Sequence, residues 1–293
     1  MGDERYEEFI GRAAEPQRFG GIWTLQKLEA LEKYLGAYTT ALKFQRFELL
    51  YVDAFAGSGT IQIEKGLARG QHRGSAQIAM ATEPPFHRLI FIDDDANHCE
   101  SLRCLADDRR DARVSVVEGD ANEQLLQVCS STNWRQTRGV LFLDPYGLKV
   151  EWSTLEVIAA TEAIDVWYLF PLSGVYRQMA LDPRDIDADK EAAITRILGT
   201  PSWRQDLYSP ATNRDLFDEE REERHEVKQI QEFFAKRLSA LFPKIEGPKT
   251  LRMSSTSVDA GAPFFDLYFA VSNPSPKARD LAAKMARGIL DSL

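Results

Sequence analysis

The apolar positions of the chain switch between two periods. From Trp23 to Lys43, Leu28, Leu31, Leu35, Tyr38 and Leu42 recur at spacings of three and four, which predicts a helix with one buried stripe and Thr24 as its N-cap. Short apolar runs follow instead: FELLYVDAFAGSG (47–59), HRLIFIDDD (87–95), ARVSVVEGDAN (112–122), GVLFLDPYG (139–147) and DVWYLFP (165–171). Each reads as a strand, and helical spacing returns between them around Gly74–Thr82, Asn97–Asp107 and Trp152–Thr161. Strands alternating with helices predict βαβ units, and the unbroken apolar character of LIFI and VLFL suits strands covered on both faces.

From residue 173 to 248 the pattern turns to polar helices. One of them carries Val227, Ile230, Phe233, Phe234, Leu238 and Leu241 on a single apolar face. Two further strand-like runs, 250–258 and 264–273, flank a Gly-Ala-Pro turn and predict a hairpin that completes the sheet, followed by a helix from about Pro276. The expected organisation is therefore an N-terminal extension (1–22), an α/β core with its leading helix (23–172), a helical insertion or cap (173–248), and a closing hairpin and C-terminal helix (249–293).

Composition narrows the class. Of 293 residues, 44% are hydrophobic and 28% charged, as in ordinary soluble domains, and no apolar run approaches the length of a membrane span. The first residues lack the apolar stretch of a signal peptide, so the expected location is the cytoplasm. With 36 Lys and Arg against 45 Asp and Glu, the formal net charge is −9, so a nucleic-acid partner would need a local basic face. Arg69, His72, Arg73, Arg109, Arg110 and Arg113 are the candidates for one, although interspersed acids favour a solvated surface. Cys99, Cys104 and Cys129 have no CxxC spacing, and His72, His87, His98 and His225 have no metal-ligand spacing, so neither a disulfide framework nor a metal is expected. Asp185, Asp187 and Asp189 alternate like the start of a calcium loop but lack its Gly and its closing Glu, and read as a solvated helix start.

The chemistry-bearing residues fall at strand ends. Asp53-Ala54-Phe55-Ala56-Gly57-Ser58-Gly59 closes the first strand, where ligands of open α/β sheets lie. A dinucleotide fingerprint wants a small residue three positions beyond Gly59, and Gln62 stands there instead, which counts against a nicotinamide dehydrogenase. An acid ahead of the glycines disfavours a pyrophosphate and favours a ligand with an ammonium or sulfonium, such as S-adenosylmethionine; the bland alternative is a tight turn capped by Asp53. The second strand ends in Asp93-Asp94-Asp95, where a carboxylate suits ribose hydroxyls or, equally, a helix N-cap. Asp120-Ala121-Asn122 closes the third, either to meet an adenine amino group or to form an Asx turn. The fourth ends in Asp144-Pro145-Tyr146-Gly147: Asp144 would orient or deprotonate an acceptor NH or OH and Tyr146 would stack on a planar substrate, against a reading in which Tyr146 simply packs on the core.

In order and content these motifs resemble class I S-adenosylmethionine-dependent methyltransferases. WTLQKLEALEKYLGAYTTAL, YVDAFAGSG, RGSAQIA, FIDDD, GDAN and FLDPYGLKVEW together resemble the three-Cys-motif partner proteins, a prokaryotic group with that core. The resemblance covers about residues 20–175 and 250–275. It implies a Rossmann-like seven-stranded sheet, mostly parallel with the last strand antiparallel, and a cofactor pocket at Asp53, Gly57, Gly59, Asp93 and Asp120. Phe55, Ala56, Ser58, Asp94, Ala121, Asn122 and Asp144 complete the expected cofactor set, and Asp144, Pro145 and Tyr146 the expected catalytic one. It also implies a companion protein carrying three cysteines. Amino-methyltransferases of bases carry two prolines after their acid, Asn or Ser, whereas this chain has one. Nucleic acid is the leading acceptor class, and a non-catalytic accessory subunit is the alternative function.

Overall fold

A computed structural model of the chain describes residues 17–19, 21–63, 69–210, 222–253 and 261–293. The main sheet has seven strands: β1 (Glu48–Asp53), β2 (Arg88–Asp93), β3 (Val114–Glu118), β4 (Thr137–Leu143), β5 (Ile164–Phe170), β6 (Lys244–Arg252) and β7 (Pro263–Val271). The helices are α1 (Ile22–Leu42), α2 (Ser75–Met80), α3 (Ala96–Asp108), α4 (Ala121–Ser131), α5 (Trp152–Ala160), α6 (Leu172–Gln178), α7 (Ala188–Leu198), α8 (Trp203–Asp206), α9 (Val227–Leu241) and α10 (Pro276–Asp291).

The strands lie in the order β6-β7-β5-β4-β1-β2-β3. β7 runs antiparallel to both its neighbours, and β1 to β5 are parallel throughout. This is the seven-stranded, mostly parallel sheet expected from the motif order. Because β2 and β3 extend to one side of β1 while β4 and β5 extend to the other, the order reverses between β1 and β4, and their carboxyl ends form the natural ligand crevice.

Alternate residues of each strand feed two separate cores. Leu50, Val52, Ile90, Ile92, Leu141, Leu143, Val166, Tyr168 and Phe170 face one layer with α4, α5, α7 and α9. Leu49, Tyr51, Leu89, Phe91, Val140, Phe142, Trp167 and Leu169 face the other, with α1, α2 and α10. The period-2 split across a sheet buried on both faces is why these strands read as continuous apolar runs rather than alternating ones.

Two expectations are corrected, and one element is added. Gly21, not Thr24, occupies the N-cap of α1; Thr24 lies inside the helix with its hydroxyl buried and unbonded among the described residues. The segment after residue 172 ends sooner than expected, since β6 starts at Lys244. Nor does it stand apart as a cap: Phe234 of α9 stacks on Phe170 of β5 with centroids 3.9 Å apart, and Trp203 and Ile194 join the same core as the sheet. The added element is a hairpin that helical spacing does not announce. Thr60–Ile63 pairs antiparallel with Gly70–Arg73 and parallel with Gln17–Phe19, so the glycine turn feeds a small sheet before α2 begins. Most of the expected N-terminal extension and residues 211–221 and 254–260 lie outside the described residues. No helix among the described residues is long and apolar enough to cross a membrane.

Candidate functional site

The turn after β1 is fastened to both neighbouring strands. Ala54 N donates to Phe142 O of β4 at 3.2 Å, and Ala56 N to Ile92 O of β2 at 3.0 Å. Gly57 and Gly59 have φ of 61° and 79°, the left-handed region that glycine enters without strain. A Cβ on Gly59 would lie 2.7 Å from Leu105 Cδ1, so here packing as well as backbone conformation demands glycine. Ser58 is fully buried and donates to Thr60 O at 3.1 Å, bending the chain into the hairpin. Gln62 therefore sits on a strand opposite Gln71, and the dinucleotide arrangement of glycine turn running directly into a helix is absent.

Asp93 holds this turn. Its Oδ2 accepts from Gly57 N at 2.7 Å, while Oδ1 accepts from Asp95 N at 3.0 Å and lies 2.9 Å from His98 Nδ1. A carboxylate has about four acceptor positions, so Oδ2 keeps one for a further donor. Asp94 is exposed and pairs with Lys149 at 2.5 Å. Asp95 is the N-cap of α3, accepting from Asn97 N and His98 N.

The third strand end divides its labour. Asp120 is an exposed N-cap of α4, accepting from Asn122 N at 2.9 Å and Glu123 N at 3.2 Å, and Ala121 is buried behind it. Asn122 ties two loops together: its Oδ1 accepts from Glu151 N and from the Thr154 hydroxyl, and its Nδ2 donates to Lys149 O. Lys149 thus connects Asp94 of the second strand end to Asn122 of the third.

Asp53 is fully buried at the end of β1, with Tyr51 donating to it at 3.2 Å and Phe55 N at 3.4 Å. Burial pushes its carboxyl up to about 7, the Ser75 hydroxyl opposes that, and the negative charge of Asp144 adds to it. Two acids thus converge on one crevice. Asp144 is answered from an unexpected quarter: Lys27 of α1, only 5% exposed, forms an ion pair with its Oδ2. Sequence reasoning gave Lys27 no part, because a lysine in an amphipathic helix looks like any solvated position until the fold turns it inward. Pro145 is buried, and Gly147, at φ 75°, lets the loop swing out. Tyr146 is 85% exposed, so the reading that packs it on the core is overturned.

The structure thus brings Asp53, Phe55, Ala56, Gly57, Ser58, Gly59, Asp93 and Asp144 to the β1, β2 and β4 ends, with Asp94, Asp120, Ala121 and Asn122 alongside at the β2 and β3 ends. The arginines divide otherwise. Arg73 pairs with Glu32 at 2.6 Å, and Arg113 with Asp111 at 2.5 Å while donating to Met80 O and Phe86 O. Burial, and then the neighbouring charge of Arg73, pull Arg109 below the usual guanidinium range. Asp187 caps α7, as a solvated helix start requires. His87 Nδ1 accepts from Leu49 N at 2.9 Å, and no group of three metal-ligating side chains occurs among the described residues.

No protein-family model matches the sequence, and no curated protein matches it. Among solved structures the chain is similar to protein LPL1258 from Legionella pneumophila str. Philadelphia 1, with a TM-score of 0.50, 14% identity and coverage of 93% of this chain and 94% of that one. It is also similar to Trm1 from Pyrococcus horikoshii in complex with S-adenosyl-L-methionine (TM-score 0.39, 12% identity, covering 84% of this chain and 55% of that one). A third is a putative O-methyltransferase from Klebsiella pneumoniae (TM-score 0.37, 12% identity, 92% and 95%). At 14% identity the likeness to LPL1258 is one of fold alone.

Proposed function

We propose that the chain is an S-adenosylmethionine-dependent methyltransferase. The observation that carries this reading is the pairing, at the switch point of the sheet, of a glycine turn held open by Asp93 with an acid, Asp144, on the opposite side of the crevice. The donor set fits the cofactor: its hydroxyls, amino groups and sulfonium are donors or cationic, and the strand ends offer acceptors, Asp93 with one position to spare and the exposed Asp120. Asp93 and Gly57 would hold the nucleoside, Asp120 its base, and the Asp53 turn the amino-acid end. Bound there, the cofactor supplies a methyl group on a positively charged sulfur.

The remaining chemistry belongs to side chains present. An acceptor nitrogen or oxygen loses a proton as it gains a methyl group, and Asp144, paired with Lys27, accepts that proton's hydrogen bond. Tyr146, exposed beside it, offers a face for a planar acceptor, and nucleic acid is the acceptor class this favours. The resemblance to three-Cys-motif partner proteins supports a companion protein, to be sought by pull-down from a prokaryotic source.

The second reading is a non-catalytic subunit that retains the fold. It rests on the same ion pair, since a carboxylate already answered by a buried ammonium has less need of a substrate proton. Titration calorimetry with S-adenosylmethionine and its demethylated product tests both. Micromolar binding that weakens at least tenfold in Asp93→Ala supports the methyltransferase; absence of binding to either ligand removes it.

A further inference from the structure

At the opposite end of the sheet from the glycine turn lies a cavity of about 330 Å³, formed where α1 and α10 meet the starts of β4 and β5. Its walls are largely aliphatic and aromatic, including Leu42, Phe47, Val271 and Met285, yet it also contains Arg138 and Asp165. The two charges share the cavity without forming an ion pair. By strand rise, Arg138 stands about 20 Å from the Asp144 end of the same strand.

Each charge has one part committed and one part open. Asp165 is 8% exposed, and its Oδ2 accepts from Tyr34 at 2.7 Å. Its Oδ1 receives no hydrogen bond from the described residues, yet it is not among the sealed, unbonded atoms, so it opens onto the cavity. Arg138 lies over the Phe47 ring at 4.1 Å and donates from Nη1 to Trp134 O and Thr137 O, which fixes the guanidinium and leaves Nε and Nη2 without acceptors among the described residues. The Tyr38 hydroxyl, on the same wall, likewise bonds to none of them. A fixed cation, a half-satisfied buried anion and an apolar enclosure form a built site.

We propose that this cavity binds a small zwitterion with an apolar body, its ammonium on Asp165 Oδ1, its carboxylate on Arg138, and its apolar part among Leu42, Val271 and Met285. A simple cation would meet the charge of Arg138 and a simple anion that of Asp165; only a molecule carrying both signs answers both. An α-amino acid with a large apolar side chain is the matching class. The site is separate from the glycine turn and does not depend on the methyltransferase reading.

The test uses the full chain and three matched probes: L-phenylalanine, phenethylamine, which lacks its carboxylate, and 3-phenylpropanoate, which lacks its ammonium. Calorimetry at pH 8.5, above the value of about 7 to which burial pushes the Asp165 carboxyl, so that it is ionised, should show phenylalanine binding at least tenfold tighter than either partial probe. Asp165→Asn, which keeps an acceptor for Tyr34, should weaken phenylalanine at least tenfold while leaving 3-phenylpropanoate unaffected or improved. Arg138→Gln should weaken phenylalanine and spare phenethylamine. Asp93→Ala should change none of these affinities, which separates this cavity from the glycine turn. Equal binding of the three probes, no binding of phenylalanine to the wild type, or a loss in Asp93→Ala matching that in Asp165→Asn would each overturn the proposal.

Discussion

Lys27 of α1 and Asp144 at the end of β4 meet in an ion pair across 117 residues of sequence. The lysine is 5% exposed and the acid 20%, so the charges sit at the edge of the crevice rather than in solvent. Asp53, fully buried, feels the negative charge of Asp144. Lys27 therefore answers the acid at the end of β4, and the first helix becomes part of the site.

Lys27→Met should reduce methyl transfer at least tenfold while leaving cofactor affinity within threefold, because the ammonium touches the acceptor-side acid and not the glycine turn. Stability should fall by about 1–3 kcal/mol, between the values typical of exposed and of buried pairs broken on one side. Lys27→Met with Asp144→Asn should recover most of that stability and none of the activity. Urea melts and single-turnover transfer assays measure the two effects independently.

Tyr146 tests whether an exposed aromatic is there for a partner. At 85% exposure its removal touches no core, so Tyr146→Ala should alter stability by less than about 0.5 kcal/mol. Its effect should appear as a raised KM for a planar acceptor, with cofactor affinity unchanged. An unchanged KM across nucleic-acid and small planar acceptors would remove Tyr146 from the site.

Much of this arrangement was legible in the chain because its signals are local. The strands β1 to β4 end at or within two residues of an acid, and the acids at 53, 93, 120 and 144 mark those ends. What escaped is non-local. The strands Thr60–Ile63 and Gly70–Arg73 are only four residues each; TIQI alternates and is mostly buried but is too short to announce a strand, and GQHR is polar and half-buried. Gly21 replaces Thr24 as N-cap because the helix begins earlier than its apolar stripe, and caps are set by backbone dihedrals the sequence does not print. Lys27 and the Arg138–Asp165 cavity depend on which residues the sheet order brings together. Asn122 carries an adenine-or-turn ambiguity in sequence; in the fold its amide bridges α4 to the loop before α5, a contact over 29 residues.

Gly59 is the sharpest single test of the turn. Gly59→Ala places a Cβ at φ 79° and 2.7 Å from Leu105 Cδ1. Left-handed strain together with the clash should cost about 1–3 kcal/mol or more, and shift of the turn should abolish cofactor binding. Leu105→Ala alone removes a buried leucine and should cost about 2–5 kcal/mol. Because it also removes the clash but not the strain, the double variant should lose less stability than the sum of the two single losses. Thermal melts with and without cofactor separate the two contributions.

Buried acids set the pH response of stability. Burial raises Asp53 and Asp165 to about 7 and Asp266 to about 6, from an ordinary 3.8. Between pH 4 and 7 the unfolded chain has released these protons while the folded chain retains them, so the folded state binds more protons and its stability falls as pH rises. Each group contributes a slope of up to about 1.4 kcal/mol per pH unit within its own window, ending near pH 6 for Asp266 and near pH 7 for the other two. Carboxylates lowered by partners, such as Asp111 beside Arg113 and Glu246 beside Arg287, act in the opposite sense but below pH 4.5, where their stabilisation is lost on acidification. Stability should therefore peak near pH 4.5–5 rather than at neutrality. Asp165→Asn removes one titrating group without removing the acceptor for Tyr34, and should flatten the decline between pH 5 and 7 by about one proton's slope. Urea denaturation at half-unit pH intervals measures it; an unchanged slope in Asp165→Asn would mean that Asp165 is ionised in the folded protein.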